Sequence, residues 1–235
     1  MSTQSKRYAA NLGKVDREKR YALQDAVELA LGLQKASFNE SVELHVVLGV
    51  DPKKADQAVR GTVVLPHGTG KATRVLVFAT GTDAEAAQEA GADFVGLEDL
   101  VEKIQGGWTD FDIAIAAPPT MREVGKLGKV LGPRGLMPSP KAGTVTPDVA
   151  QAVKEFKAGK VEFRVDRQAG MHCAVGKTNF SSDQLMANIR AFMAAVMKAK
   201  PSTAKGSYLL KMSISTTMGP GIRVDARDVE REAAA

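Results

Sequence analysis

The sequence contains a single cysteine, Cys173, in 235 residues. An internal disulfide is therefore excluded, and the usage suits a reducing, cytoplasmic compartment. Aromatic residues are scarce, with one Trp, three Tyr and eight Phe. No aromatic strand of the kind that stacks bases in small RNA-binding modules is present, so sheet-wide stacking is not expected as a main mode. No apolar run reaches the roughly 18 residues a transmembrane helix requires. The N-terminal stretch MSTQSKRYAANLGK carries cations with no apolar segment behind them, so it is not expected to be a secretory signal. His45, His67 and His172 share no ligand spacing with one another or with Cys173, and neither a metal nor another cofactor is expected. No nucleophile stands in a recognisable elbow, and Asp110 and Asp112, at a strand start, read as solvent-facing acids. The PHGTGK stretch at 66–71 fails as a phosphate loop, because Leu65 and Ala72 occupy the places that need Gly and Ser or Thr. It reads instead as a hinge where the chain changes domains. No catalytic constellation emerges.

What is present is a loop. Residues 126–145, KLGKVLGPRGLMPSPKAGTV, hold four Gly, three Pro, the cations Lys126, Lys129, Arg134 and Lys141, and no carboxylate. Gly opens positive φ and Pro fixes φ, so the composition describes a shaped path. Unneutralised cations along such a path suit a polyanion, and a structured connector with solvated cations fits the composition equally. The formal charge of +5 is unevenly spread. Residues 68–159 hold 10 Lys and Arg against 12 Asp and Glu, whereas the flanks hold 22 against 15. Basicity belongs to the two ends, which favours nucleic acid or an anionic surface as their partner.

Periodicity divides the chain in the same way. Leu23, Ala26, Val27, Ala30 and Leu31 keep one helical face, and Val42, Leu44, Val46, Leu48 and Val50 alternate as a half-buried strand. A short strand follows at 62–65. From Gly68 onward the pattern changes to near-continuous apolar strands at 74–80 and 111–116, with a short one at 94–95. Helices are expected at 83–90, opened by a Thr82/Glu85 capping box, at 97–104, at 120–131, and from Thr146-Pro147 to Phe156. Alternating strands and helices with short loops describe an α/β layer. After Gly159 the first style returns: a β-hairpin with its turn at 167–170, a helix at 183–198 capped by Ser181 and Gln184, and a strand on which Tyr208, Leu210, Met212 and Ile214 face inward. The economical reading is α+β with an inserted α/β: an antiparallel, discontinuous α+β domain from residues 1–67 and 160–235, interrupted by an α/β domain at 68–159. Ser213, Ser215, Thr216 and Thr217 place small hydroxyls at the last strand's end, before Met218-Gly219-Pro220-Gly221. They could meet ribose and phosphate, or be ordinary solvent-facing strand and turn residues.

Three segments, DQAVRGTVVLPHGTG at 56–70, the loop at 126–145, and STTMG at 215–219, occur in the order found in one family. The chain closely resembles the universal large-subunit ribosomal protein one family, of the mobile stalk beside the exit site. The resemblance implies that the inserted domain is Rossmann-like. As partners it implies large-subunit ribosomal RNA, the operon's own messenger RNA and exit-site tRNA, within the large ribosomal subunit and with no membrane. As the RNA surface it implies Phe38, Glu40, Ser41 and His45, Arg164 and His172, and Thr216, Thr217, Met218 and Gly219, which Ser215 adjoins. Lys129, Arg134 and Lys141 would form a secondary RNA or interdomain contact. One departure is visible: Ser37 stands where many bacterial members have Lys, and Lys35 lies two residues earlier. Two other functions are compatible with the residues. One is an α/β small-molecule-binding enzyme using the 126–145 loop, and the other is a general RNA chaperone.

Overall fold

The computed structural model describes residues 5–229; the outermost residues of the expected discontinuous domain, 1–4 and 230–235, lie outside them. The described residues divide into two compact units, 5–70 with 161–229, and 71–160.

In the first unit the chain opens with α1 (Lys6–Leu12), α2 (Leu23–Gly32), β1 (Ser41–Leu48) and β2 (Arg60–Val64). The second unit follows with β3 (Val75–Phe78), α3 (Thr82–Glu89), β4 (Phe94–Gly96), α4 (Glu98–Gln105), β5 (Ile113–Ala116), α5 (Met121–Val124), α6 (Gly128–Leu131) and α7 (Val149–Lys157). The return is β6 (Lys160–Arg164), β7 (Gly170–Lys177), α8 (Ser182–Lys198), β8 (Leu209–Thr216) and β9 (Ile222–Val224).

The first unit is built on a four-stranded antiparallel sheet in the order β7-β1-β8-β9. The strand from the N-terminal flank thus lies between two from the C-terminal flank. Strict alternation sends Val42, Leu44, Val46 and Leu48 inward at no more than 1% exposure, where α2 and α8 cover them. Ser181 and Gln184 form the expected capping box of α8. At the end of the first segment, Asn188 of α8 fastens the backbone, its Oδ1 accepting from His67 N and its Nδ2 donating to Gly68 O.

The second unit holds a three-stranded parallel sheet, β4-β3-β5. Every residue of β3 is buried, as a near-continuous apolar strand predicts. Leu76 and Phe78 pack on one face with Leu100, Ile104, Val124, Leu127 and Leu131. Val75 and Val77 pack on the other with Val149, Val153 and Phe156. Asp112 is no idle surface acid: it accepts from Lys71 Nζ at 2.7 Å and from Arg74 N at 3.0 Å, pinning the entry to β3.

Five local expectations are corrected. Gly81, at φ 61°, takes the N-cap position of α3, so Thr82 starts the helix and forms no capping box. The helix expected at 120–131 is broken into short turns, with 3₁₀ at Pro118–Thr120 before α5 and at Gly125–Leu127 between α5 and α6, because Gly125 and Gly128 weaken the interior. Asp148, not Thr146, caps α7, its side chain accepting from Gln151 N at 3.1 Å. The turn at 166–170 forms, but β6 pairs with β2 while β7 pairs with β1, so no β-hairpin results. Leu210 faces out, 51% exposed, because a bulge in the β1–β8 ladder opposes Val47 with Lys211 but Leu48 with Leu209.

Candidate nucleic-acid interface

The face of the four-stranded sheet opposite α2 and α8 carries mostly polar side chains, among them an acid, Glu43, and a cation, Arg223. Strand alternation fixes which: Glu43, His45 and Val47 on β1, His172 and Ala174 on β7, Ser213 and Ser215 on β8, and Arg223 on β9.

At one end of this face the turn after β8 meets the loop before β1, and Glu40 joins them. Its side chain is 1% exposed. Oε1 accepts from Ala36 N at 2.5 Å, and Oε2 accepts from Met218 N at 2.9 Å. Arg7 Nη1 lies 3.3 Å from Oε1. Burial raises the carboxyl's pKa, but the amides of Ala36 and Met218, the Thr216 hydroxyl and the Arg7 charge outweigh it and hold it below the ordinary range. Glu40 therefore faces inward as a bracket, and Thr216, 7% exposed, is buried beside it.

The bracket sets out an exposed edge. Thr217 is exposed, its N donating to Ser41 O at 3.0 Å and its Oγ1 accepting from Ser41 N at 2.9 Å. Phe38 and Met218 stand 52% and 49% exposed, on the two segments that the Glu40 carboxylate ties together. Gly219 is required by close approach: a Cβ there would sit 2.4 Å from Thr216 Oγ1. Two cations brace the edge. Lys177 Nζ donates to Ser41 Oγ at 2.8 Å, and Lys35 Nζ donates to Thr178 O at 2.9 Å. The departure at Ser37 thus leaves a cation nearby, but one engaged with backbone.

Further along the face, His45 and His172 lie directly opposite in the β1–β7 register. Their Nδ1 atoms are 2.8 Å apart, and His45 Nε2 lies 2.9 Å from Ser215 Oγ. Burial, and then the neighbouring His172, push the His45 pKa below 6.5, with Glu43 opposing. Cys173, buried with its thiol pushed up to about 12 by burial, is chemically quiet. Among the described residues no three His, Cys, Asp or Glu are grouped to hold a metal.

Of the expected site residues, Phe38, Ser41, Ser215, Thr217, Met218 and Gly219 gather with the histidine pair on this face and its edge, and Glu40 and Thr216 support them from beneath. Arg164 does not join them: it lies exposed on β6, in the two-stranded sheet with β2. In the second unit Lys129, Arg134 and Lys141 are all exposed, and Arg134 Nη1 donates to Thr109 Oγ1. A recess of about 340 Å³ beside that loop is lined by Asp148, Glu155 and Lys160 and by none of those three cations. The bracing roles of Arg7, Lys35 and Lys177 had no sequence signal, since each partner is at least 27 residues away.

Comparison with known proteins gives a consistent result. The sequence profile described as the "Ribosomal protein L1p/L10e family" matches residues 29–220. The chain is 58% identical over 225 residues to the "Large ribosomal subunit protein uL1" of Renibacterium salmoninarum, covering 96% of each chain. To the proteins of the same name in Leifsonia xyli subsp. xyli and Kosmotoga olearia it is 57% and 52% identical, over 97% of this chain and 100% and 99% of theirs. Among the described residues no helix is long and apolar enough to cross a membrane.

Proposed function

Because the chain belongs to the ribosomal protein L1p/L10e family, we propose that it is a component of the large ribosomal subunit that binds large-subunit ribosomal RNA at the mobile stalk beside the exit site. It is a structural protein and not an enzyme, which sets aside the small-molecule reading of the 126–145 loop. The first unit is the discontinuous α+β RNA-binding domain and the second is the inserted Rossmann-like α/β domain. The protein works in the cytoplasm. The same surface binds the operon's own messenger where that RNA folds like the ribosomal site, which represses translation. At the stalk, the protein aids release of deacylated tRNA.

One observation supports the site above others: the buried Glu40 carboxylate ties the Phe38 loop to the Met218 turn, leaving two apolar side chains and the Thr217 edge exposed together. An exposed apolar pair on a rigid, hydroxyl-bearing edge suits an RNA surface read by shape, ribose and backbone. The cationic flanks add the salt-dependent part of the affinity. Lys129, Arg134 and Lys141 serve as a secondary contact.

The test is binding of the whole protein to stalk RNA and to a scrambled RNA across a salt series. The wild type should discriminate between the two. Thr217→Val and Met218→Asp should each lose most of the stalk-RNA affinity while staying folded. Wild-type affinity in both folded variants sinks the site. Equal affinity for the scrambled RNA points instead to a general RNA chaperone.

A further inference from the structure

About 20 Å along β8 from Thr217, at 3.4 Å per residue, the same sheet face opens into a recess of about 260 Å³. Arg20, Lys211 and Arg223 line it together with His45, His172 and Ser213, and none of its lining residues is Asp or Glu. Register accounts for the arrangement. His172 stands opposite His45, His45 opposite Ser213, and Ser213 opposite Arg223, so one row of polar side chains crosses all four strands. Tyr21 continues that row beyond β9, its N donating to Arg223 O at 2.9 Å, which sets Arg20 at the sheet's margin. The β8 bulge turns both Leu210 and Lys211 outward, so an apolar side chain 51% exposed stands beside a cation at the rim. A bulge that exposes a leucine against the alternation of its strand is a re-aimed side chain, as bulges near binding sites provide.

We propose that this recess is a second RNA subsite, taking one unstacked nucleotide of a single-stranded segment. Leu210 and Val47 face the base, and Arg20, Lys211 and Arg223 hold the flanking phosphates. The charge selects a polyanion, and three exposed cations around an apolar rim select a nucleotide over a bare phosphate. The volume lies just below the roughly 300 Å³ where small-molecule sites begin, which suits part of a nucleotide and not a large cofactor. The proposal rests on the reading that the Thr217 edge binds ribosomal RNA, which it extends along the same face.

The experiment uses the whole protein with two probes, stalk RNA and a single-stranded oligouridylate. The double variant Arg20→Ala/Arg223→Ala is compared with Lys53→Ala/Lys54→Ala, which removes the same charge from residues outside the recess. The recess variant should bind both probes about tenfold more weakly, with the slope of log K against log salt reduced by about 1.5. Leu210→Asp should also lose oligouridylate binding. Arg20→Lys/Arg223→Lys should restore most of the salt slope. Equal losses in the recess and control variants overturn the subsite, and so does unchanged binding in the recess variant. Wild-type protein that fails to prefer stalk RNA, yet loses oligouridylate binding through the recess variant, overturns the ribosomal reading and leaves the subsite standing. A recess variant that keeps both RNA affinities but assembles poorly into ribosomal subunits assigns the surface to a protein neighbour and overturns the proposal.

Discussion

The two larger sheets among the described residues spend their faces differently. The parallel sheet of the second unit is covered on both sides, Leu76 and Phe78 reaching one apolar layer and Val75 and Val77 the other. It has no face left for a partner. The antiparallel sheet of the first unit packs Val42, Leu44, Val46 and Leu48 into its single core and turns His45, Ser213, Ser215 and Arg223 outward. A double-sided core favours stability, and a single-sided one keeps a rigid, hydrogen-bonded surface for binding. The difference also explains the charge pattern, since the flanks that build the one-sided sheet carry the cationic excess.

The contrast can be broken most severely in the covered sheet. Phe78 is fully buried, and Phe78→Ala should cost about 3–5 kcal/mol of stability. Below its melting transition the variant should bind stalk RNA as the wild type does, which calorimetry paired with titration will check. Next comes the bracket of the open sheet. Glu40→Ala strands the amides of Ala36 and Met218 and the Arg7 charge, and should cost about 2–3 kcal/mol. Unlike Phe78→Ala, it should weaken RNA binding in the folded state about a hundredfold, because the Phe38 and Met218 segments are no longer held together.

Gly219→Ala comes third. Its methyl must displace Thr216 Oγ1, so affinity should fall about tenfold, or about 1.4 kcal/mol, with a smaller drop in melting temperature. The smallest effect belongs to His45. Its folded pKa lies below 6.5, so the unfolded chain takes up the proton first as pH falls, and stability declines as pH drops through 6.5 towards the folded value. An RNA phosphate on this face favours the protonated form, so stalk-RNA affinity should rise a few-fold over the same window. His45→Gln should flatten both trends, read by thermal melts and binding at stepped pH. A His45 ring resonance titrating above 6.5 would count against the assignment.

The sequence was a good guide where structure is local. Alternation identified the inner face of β1, the Ser181/Gln184 box identified the start of α8, and unbroken apolar runs identified β3 and β5. It failed where long-range choice decides. The turn at 166–170 has local hairpin chemistry, Asp166 accepting from the N–H groups of Gln168 and Gly170, yet the strands on either side choose different partners. Leu210 fits the inward period, and only the register against β1 reveals the bulge. The candidate site was legible in outline because STTMG and the residues near Phe38 mark it by resemblance. The inward role of Glu40 and the His45–His172 pair, 127 residues apart, were not, since spacing carries no information about which strands become neighbours.

The position of β1 has a consequence for synthesis. It is made early, yet its ladder partners β7 and β8 are made late, and Glu40 must wait for Met218 N to complete its bracket. The second unit's strands and helices are contiguous and can close while the chain is still growing. A nascent or truncated chain that stops before residue 209 has neither the β8 edge nor the bracket. If the Glu40 bracket and the edge it sets out bind RNA as proposed, competence to bind RNA reports that synthesis has passed Met218.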